Sequence, residues 1–426
     1  MGFVDTMKSG EWLTAARIRD YSLILAGLTV VAVAALVATS NGMVDFQGRP
    51  LGTDFSNVWS AGRMVLDGHP AAPFDPMLHR AEQQAIFADP DIGFYGWHYP
   101  PFFLFVAGAL ASMPYLLALA VWQGVTLALY LWAMWGIVAA CRSPYLPLAG
   151  GGMGVRGMGL WLLLALAYPA VFVNLGHGHN GFLTAALMGG GLVLIDRRPW
   201  IAGGLFGLLA YKPQFGLMIP LVLVLTGRWR TVAAAAATVL VLAGAATLAF
   251  GVDVWSAFLE GTRFTRMVVL EAGETGWHKI QSVFALVRMW GGPVPLAYAV
   301  QAAVTVVVAG ALAWLWRSPA DAALKAAALP LAAVLGTPYS LDYDLMVLAP
   351  AIAFLGVHGL TRGFGPCERT ALAFAWFVPL IARSAAQATL VPLGVLAMLA
   401  LFGLIVRRAV VEAGGWHWRT AARALR

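Results

Sequence analysis

The stretch that decides the fold is "YSLILAGLTVVAVAALVATS", Tyr21 to Ser40, which carries no charge over its whole length. At about 1.5 Å per residue, a helix of this length crosses a bilayer core of roughly 30 Å. A cleaved signal segment is the competing reading. The continuation "VAVAALVATSNGM" and the many later apolar runs favour a first transmembrane helix instead. Across the 426 residues, 60% are hydrophobic and 11% charged, with a mean hydropathy of +0.77. A soluble domain could not bury that much apolar surface, so an all-α polytopic membrane protein is expected.

Further apolar runs predict spans near 115–140, 158–173, 180–196, 230–250, 294–316, 322–338, 343–358, 370–384 and 389–406. With the first, these make ten. Two shorter runs, 199–211 and 213–226, meet at "YKPQ" (Tyr211 to Gln214). Each rises only about 20 Å as a helix, so they form either a re-entrant hairpin or two short spans, giving ten or twelve crossings. The run 102–113, ended by Pro114, reads as half-inserted before the long span. One membrane domain covers 1–426.

Arginines in the short loops orient the chain. Arg17, Arg19, Arg142, Arg156, Arg197, Arg198, Arg228, Arg230, Arg317, Lys325, Arg362, Arg369, Arg407 and Arg408 all fall on one side. The positive-inside rule makes that side cytoplasmic, with both termini inside a plasma (inner) membrane. The formal net charge of +7 is thereby explained by topology, and no basic patch interleaved with stacking aromatics points to nucleic acid. Cys141 and Cys367 fall in cytoplasmic loops and imply no disulfide. The Gly-rich "LAGGGMGVRGMGL" (148–160) reads as a linker rather than a phosphate loop.

The opposite side carries the informative loops. Residues 41–99 hold three Arg against seven acidic residues, a net of −4, as expected of a non-cytoplasmic loop. Within it, Asp75-Pro76 predicts a capped helix start, and "PMLHRAEQQAIFAD" places Leu78, Ala81, Ala85 and Ile86 on one apolar stripe. "FSNVWSAGRMVLDG" predicts a short helix lying on the membrane surface through Phe55, Val58, Trp59 and Met64. A second outer loop, 251–292, includes Arg266, His278, Lys279 and Arg288.

Several polar residues need a reason. Asp54 either caps the helix beginning at Phe55 or serves as a partly desolvated carboxylate able to take a proton from a hydroxyl. Lys212, one of four lysines, sits between two half-length helices; it either snorkels to the interface or meets an anion. "NLGHGHNGF" contributes His177, His179 and Asn180, with Asn180 a possible cap and the two histidines lacking an evident third metal ligand. "GTPYSLDYDL" adds Tyr339, Asp342 and Asp344. An Asp-x-Asp pair can chelate a metal-bound nucleotide diphosphate, but no soluble α/β domain surrounds this one. No metal and no cofactor are expected. The outer loops together offer carboxylates, cations, amides, hydroxyls and aromatic rings, a set that suits a sugar and a phosphate.

At this point the chain resembles the polyprenol-phosphate-sugar-dependent membrane glycosyltransferases of family 87, which have the GT-C architecture and include mannosyltransferases. The resemblance rests on the ordered set "TDFSNVWSAGRMVLDG", "FD" (Phe74-Asp75), "WHYPPFF", "GHNGF", "AGGLFGLLAYKPQFGLMIPLVLVLTGRWR" and "TPYSLDYDL", from about residue 50 to 360. It implies a GT-C-like bundle of 10–12 transmembrane helices, with amphipathic helices in the first outer loop. It also implies inverting transfer of a sugar, mannose above all, from a polyprenyl-phosphate donor to a hydroxyl of a glycolipid or glycan at the outer face. Asp54 matches the family's general base. His98, Tyr99, His179, Asn180, Lys212, Gln214, His278, Lys279, Tyr339 and Asp344 are the expected substrate contacts. Two positions depart from the family's pattern: His179, where Gln is frequent, and Tyr339, where His is frequent and could carry a charge that tyrosine cannot.

A lipid or sugar transporter is the rival reading, because broken helices and an intramembrane lysine occur there too. Against it, ionisable residues gather at one face rather than at the midplane, and the two halves of the chain show no symmetry. A scaffold subunit, the third reading, has no use for Asp54.

Overall fold

A computed structural model describes residues 2–140 and 155–414, with the side chains of 155 and 156 excepted. Cys141, Arg142, the side chain of Arg156 and most of the Gly-rich 148–160 segment lie outside the described residues. Among those described, helices account for the regular structure, and extended pairing is confined to isolated bridges. The chain is an all-α polytopic membrane protein.

Six helices are long and apolar enough to cross a membrane: Ala15–Ala38, Tyr115–Ala140, Trp229–Phe250, Val294–Arg317, Asp342–Arg362 and Leu393–Ala413. Two expected spans are bent instead. The run 158–173 breaks before Pro169 into Gly157–Leu166 and Pro169–His177 at 46°, and Glu368–Leu380 meets Ala382–Thr389 at 77°. The first break has a local cause, since proline disfavours helical geometry in the residue before it and has no N–H to donate. Counting each bent pair as one span gives eight. Gly181–Leu194 and Ala322–Leu335 are shorter apolar helices, fourteen residues each, and both are largely buried.

Pro199–Tyr211 and Pro213–Leu225 form a hairpin. Its two ends meet where Arg228 Nη1 pairs with Asp196 at 2.5 Å, and Lys212 sits at the tip with extended backbone (φ −119°, ψ 77°). The arginine-bearing end of the bundle is tied by further ion pairs. Buried Arg408 pairs with Glu368 and, at 2.9 Å, with Glu412; Glu412 also meets His358 at 2.9 Å. Arg362 and His358 both reach Asp321 at 3.5 Å.

The segment 41–99 differs from its expected form in two ways. The helix Thr53–Leu66 does not leave Phe55, Val58 and Met64 free for a membrane surface: with Ala61 they are buried where the helix packs against Leu104–Ala111, and Trp59 donates Nε1–H to the Met113 carbonyl at 3.0 Å. The helix Pro76–Phe87 starts as expected, Asp75 accepting from the Met77 and Leu78 amides, but turns the other way round. His79, Gln83 and Phe87 are its buried residues, while Leu78, Ala81 and Ala85 are exposed and Ile86 is half-buried. A polar network explains this. Ser60 Oγ lies 2.7 Å from His79 Nε2, and Gln83 both accepts from the Tyr95 amide (3.1 Å) and donates to its carbonyl (2.7 Å). Satisfied hydrogen bonds remove the cost of burying these groups, so packing against Thr53–Leu66 overrides the apolar stripe.

Candidate active site

A cavity of about 220 Å³ opens at the end of the bundle opposite the arginine network. Aromatic residues Tyr99, Tyr211, Tyr339 and Tyr343 wall it, and His98, His179, Lys212, Gln214, Arg266 and Asp344 supply polar groups. Of the expected substrate contacts, His98, Tyr99, His179, Lys212, Gln214, Tyr339 and Asp344 are brought together here from four separate segments. Asn180, His278 and Lys279 do not line it, and neither does Asp54.

Lys212 neither snorkels nor stands free. Its ammonium donates to Asp344 Oδ1, and both side chains are buried, at 3% and 1% exposure. Asp344 is held in turn by the Leu341 amide at 3.0 Å. The ammonium also lies over the Tyr343 ring, 5.7 Å from its centroid. The Asp342-x-Asp344 pair therefore does not converge on one point: Asp342 turns to Arg383 at 3.6 Å while Asp344 takes Lys212.

The "GHGHN" loop is gripped from several sides. Trp122 donates to the Gly178 carbonyl at 3.1 Å, Gln123 to the Asn174 carbonyl at 3.1 Å, and Asn174 Nδ2 to the Tyr343 carbonyl at 3.2 Å. Its two histidines part company. His179 stacks on Tyr343 at 3.5 Å between ring centroids and meets the Tyr99 hydroxyl at 3.3 Å. His177 turns to Thr53 Oγ1 at 2.8 Å and to Asp54 Oδ2 at 3.5 Å.

Asn180 stands at the start of Gly181–Leu194, but its side chain makes no capping bond. Its amide oxygen and nitrogen, like His179 Nδ1, are buried without a hydrogen-bond partner among the described residues.

Asp54 is the second residue of its helix. Gly52 holds the cap position in left-handed geometry (φ 68°), so the expected capping role at Phe55 is not observed. Asp54 Oδ2 has no hydrogen bond among the described residues. Burial raises its carboxyl above the ordinary carboxylate value, nearby Asp342 adds to the rise, and His177, Lys279 and Lys212 pull it back. Lys279 reaches this neighbourhood because Ile280 bridges antiparallel to Leu341, with the Gln281 amide on the Ser340 carbonyl at 2.6 Å; that register sets Lys279 opposite Asp342. Burial, with Arg383 beside it, lowers the Lys279 ammonium.

The segments 41–99 and 251–292 are joined across the cavity rim by His98 Nδ1 and Thr265 Oγ1, 2.8 Å apart. Enclosure holds His98 down at about 4, so it is neutral near pH 7 and contributes hydrogen bonds rather than charge. Thr265 begins a π-helical turn, Thr265–Glu271, which brings Arg266 and Leu270 to the cavity. Tyr211, Tyr343 and Arg266 escaped sequence reasoning as site residues. A signal existed for two of them, since Tyr211 precedes Lys212 and Tyr343 lies between Asp342 and Asp344.

No curated protein and no solved structure matches the chain. The model of glycosyltransferase family 87 matches residues 97–340, more than half of the chain and nearly all of the cavity-forming segments. The chain belongs to glycosyltransferase family 87 and is a multi-pass membrane glycosyltransferase.

Proposed function

We propose that the protein transfers a sugar, mannose first among candidates, from a polyprenyl-phosphate donor to a hydroxyl of a glycolipid or glycan acceptor. The reading places the site at the outer face of the plasma membrane, with both termini in the cytoplasm. The observation that carries it is a tyrosine-walled cavity, large enough for a monosaccharide, whose Tyr99 and Tyr339 stand near enough to feel the charge of Asp54, a carboxylate whose Oδ2 takes no hydrogen bond among the described residues. Tyrosine faces pack on the apolar side of a sugar ring, and His98, His179 and Gln214 at the cavity offer its hydroxyls donors and acceptors.

In the reaction Asp54 takes the proton of the acceptor hydroxyl, and the acceptor oxygen bonds to the anomeric carbon. The bond from that carbon to the phosphate oxygen breaks, and polyprenyl phosphate leaves with the electron pair. One displacement inverts the anomeric centre. Because Lys212 is already neutralised by Asp344, the cations available to the leaving phosphate are Arg266 at the cavity and Lys279 beside Asp54. Arg266 is largely exposed and only loosely paired with Glu271 at 3.6 Å, which leaves it free to meet an incoming anion.

The test uses purified protein in liposomes with radiolabelled polyprenyl-phosphate sugars and, separately, nucleotide sugars. Label appearing in a new lipid or glycan product from the polyprenyl-phosphate donor supports the reading. Label from the nucleotide sugar alone contradicts the donor class, and labelled lipid crossing the bilayer intact supports a transporter instead.

A further inference from the structure

The geometry points to His177 as a positioning residue for Asp54: the imidazole pairs with the carboxylate and orients it toward the acceptor hydroxyl. The inference rests on the glycosyl-transfer reading for its purpose, but the contact itself is independent of that reading. Among the described lysine, arginine and histidine side chains, His177 is the one within ion-pair distance of Asp54, its Nδ1 standing 3.5 Å from Oδ2. Thr53 Oγ1, 2.8 Å from the same nitrogen, holds the ring, and Tyr343 meets it edge-on with centroids 5.8 Å apart.

The backbone is shaped for this contact. Gly52 and Gly178 both have left-handed geometry, at φ 68° and 63°. A Cβ on Gly178 would lie 2.6 Å from the Phe55 Cβ and 3.1 Å from the Gly52 Cα. Only glycine lets the two segments pass this closely, and the residue before Gly178 is His177. The bonds from Trp122 and Gln123 to the loop carbonyls keep the approach in place.

Other charged groups act on Asp54, and two of them are paired elsewhere. Lys212 is taken by Asp344, and Asp342, which faces Asp54 from the same loop as Tyr343, is paired with Arg383. Lys279 stands opposite Asp342. Tyr95, Tyr99 and Tyr339 also feel the Asp54 charge, and burial raises their hydroxyls further above the ordinary tyrosine value. His177 is therefore the group placed to tune this carboxylate. With its side chain 28% exposed, it also remains in contact with solvent.

The experiment is an infrared titration of the carboxyl band in purified, full-length protein, with Asp54→Asn subtracted to isolate Asp54, compared between wild type, His177→Ala and His177→Asn. The expected result is an upward move of the Asp54 midpoint by about one pH unit in His177→Ala. In the transfer assay, kcat falls by up to about a hundredfold, as a misplaced reacting group predicts, with the donor KM unchanged. His177→Asn, which keeps a hydrogen bond at the Nδ1 position, recovers part of kcat. Should His177→Ala fail to fold, Thr53→Val, which frees the ring, takes its place with the same readouts. An unchanged Asp54 midpoint overturns the inference, and so does a change confined to KM. A shifted midpoint in protein whose wild type transfers no sugar upholds the pairing and overturns the glycosyl-transfer reading alone.

Discussion

Lys212 and Asp344, 132 residues apart in the chain, close on each other in the interior, so the cation that marks the hairpin tip is committed within the protein. Removing one member of a buried pair leaves an uncompensated charge, at a cost on the order of 3–5 kcal/mol, whereas replacing both by apolar groups is often near neutral. Lys212→Ala and Asp344→Ala are each expected to lower the melting temperature in detergent markedly. The double variant Lys212→Met/Asp344→Leu is expected to recover most of the loss.

The pH dependence follows from Asp54. Its carboxyl is raised, and a general base works only when ionised, so kcat/KM is expected to fall on the acid side with a midpoint above the ordinary aspartate value of about 3.9. The sign is fixed: lowering the pH protonates the base and abolishes transfer. Initial rates measured from pH 4 to 8 check it, and a flat acid limb contradicts a raised base.

Gly178→Ala tests the close approach of the two loops. A side chain there meets Phe55 and must also adopt φ 63°, a left-handed conformation costing L-residues about 1–2 kcal/mol. The expected outcome is a modestly lower melting temperature with a disproportionate loss of kcat, since the displaced segment carries His177. Circular dichroism melting alongside the transfer assay separates the two effects.

Thr265→Val removes the partner of His98 and so one polar tie between the segments 41–99 and 251–292. Because Thr265 also begins the turn that brings Arg266 to the cavity, the substitution is expected to raise the donor KM several-fold while leaving the protein folded. Donor titrations at saturating acceptor measure this directly.

The membrane class was legible in the sequence because composition alone forces it: the charge-free Tyr21–Ser40 run lies almost wholly within the observed helix Ala15–Ala38. The hairpin tip at Lys212 was likewise visible, since a proline follows a lysine between two half-length apolar runs. The partner of that lysine was not, because no local pattern links position 212 to position 344. The stripe in Pro76–Phe87 misled for a physical reason. Helical periodicity reports which face is apolar, whereas the buried face here is decided by a hydrogen-bond network among Ser60, His79, Gln83 and Tyr95. The sequence offered Asp54 as a cap for a helix beginning at Phe55, but the cap position belongs to Gly52, whose left-handed backbone lets the helix begin two residues earlier, at Thr53. Contacts made by close backbone approach, such as Gly52 to Gly178, leave no periodic trace at all.

The central claim is that Asp54 is the base of a sugar transfer, and the comparison of wild type with Asp54→Asn measures it most directly. Both proteins, purified and shown by thermal melting to be equally folded, receive the same radiolabelled polyprenyl-phosphate mannose and the same lipid acceptor extract. The account predicts labelled product from wild type and a loss of at least about a hundredfold for Asp54→Asn, the lower bound for removing general-base catalysis. Transfer by Asp54→Asn at the wild-type rate would contradict it.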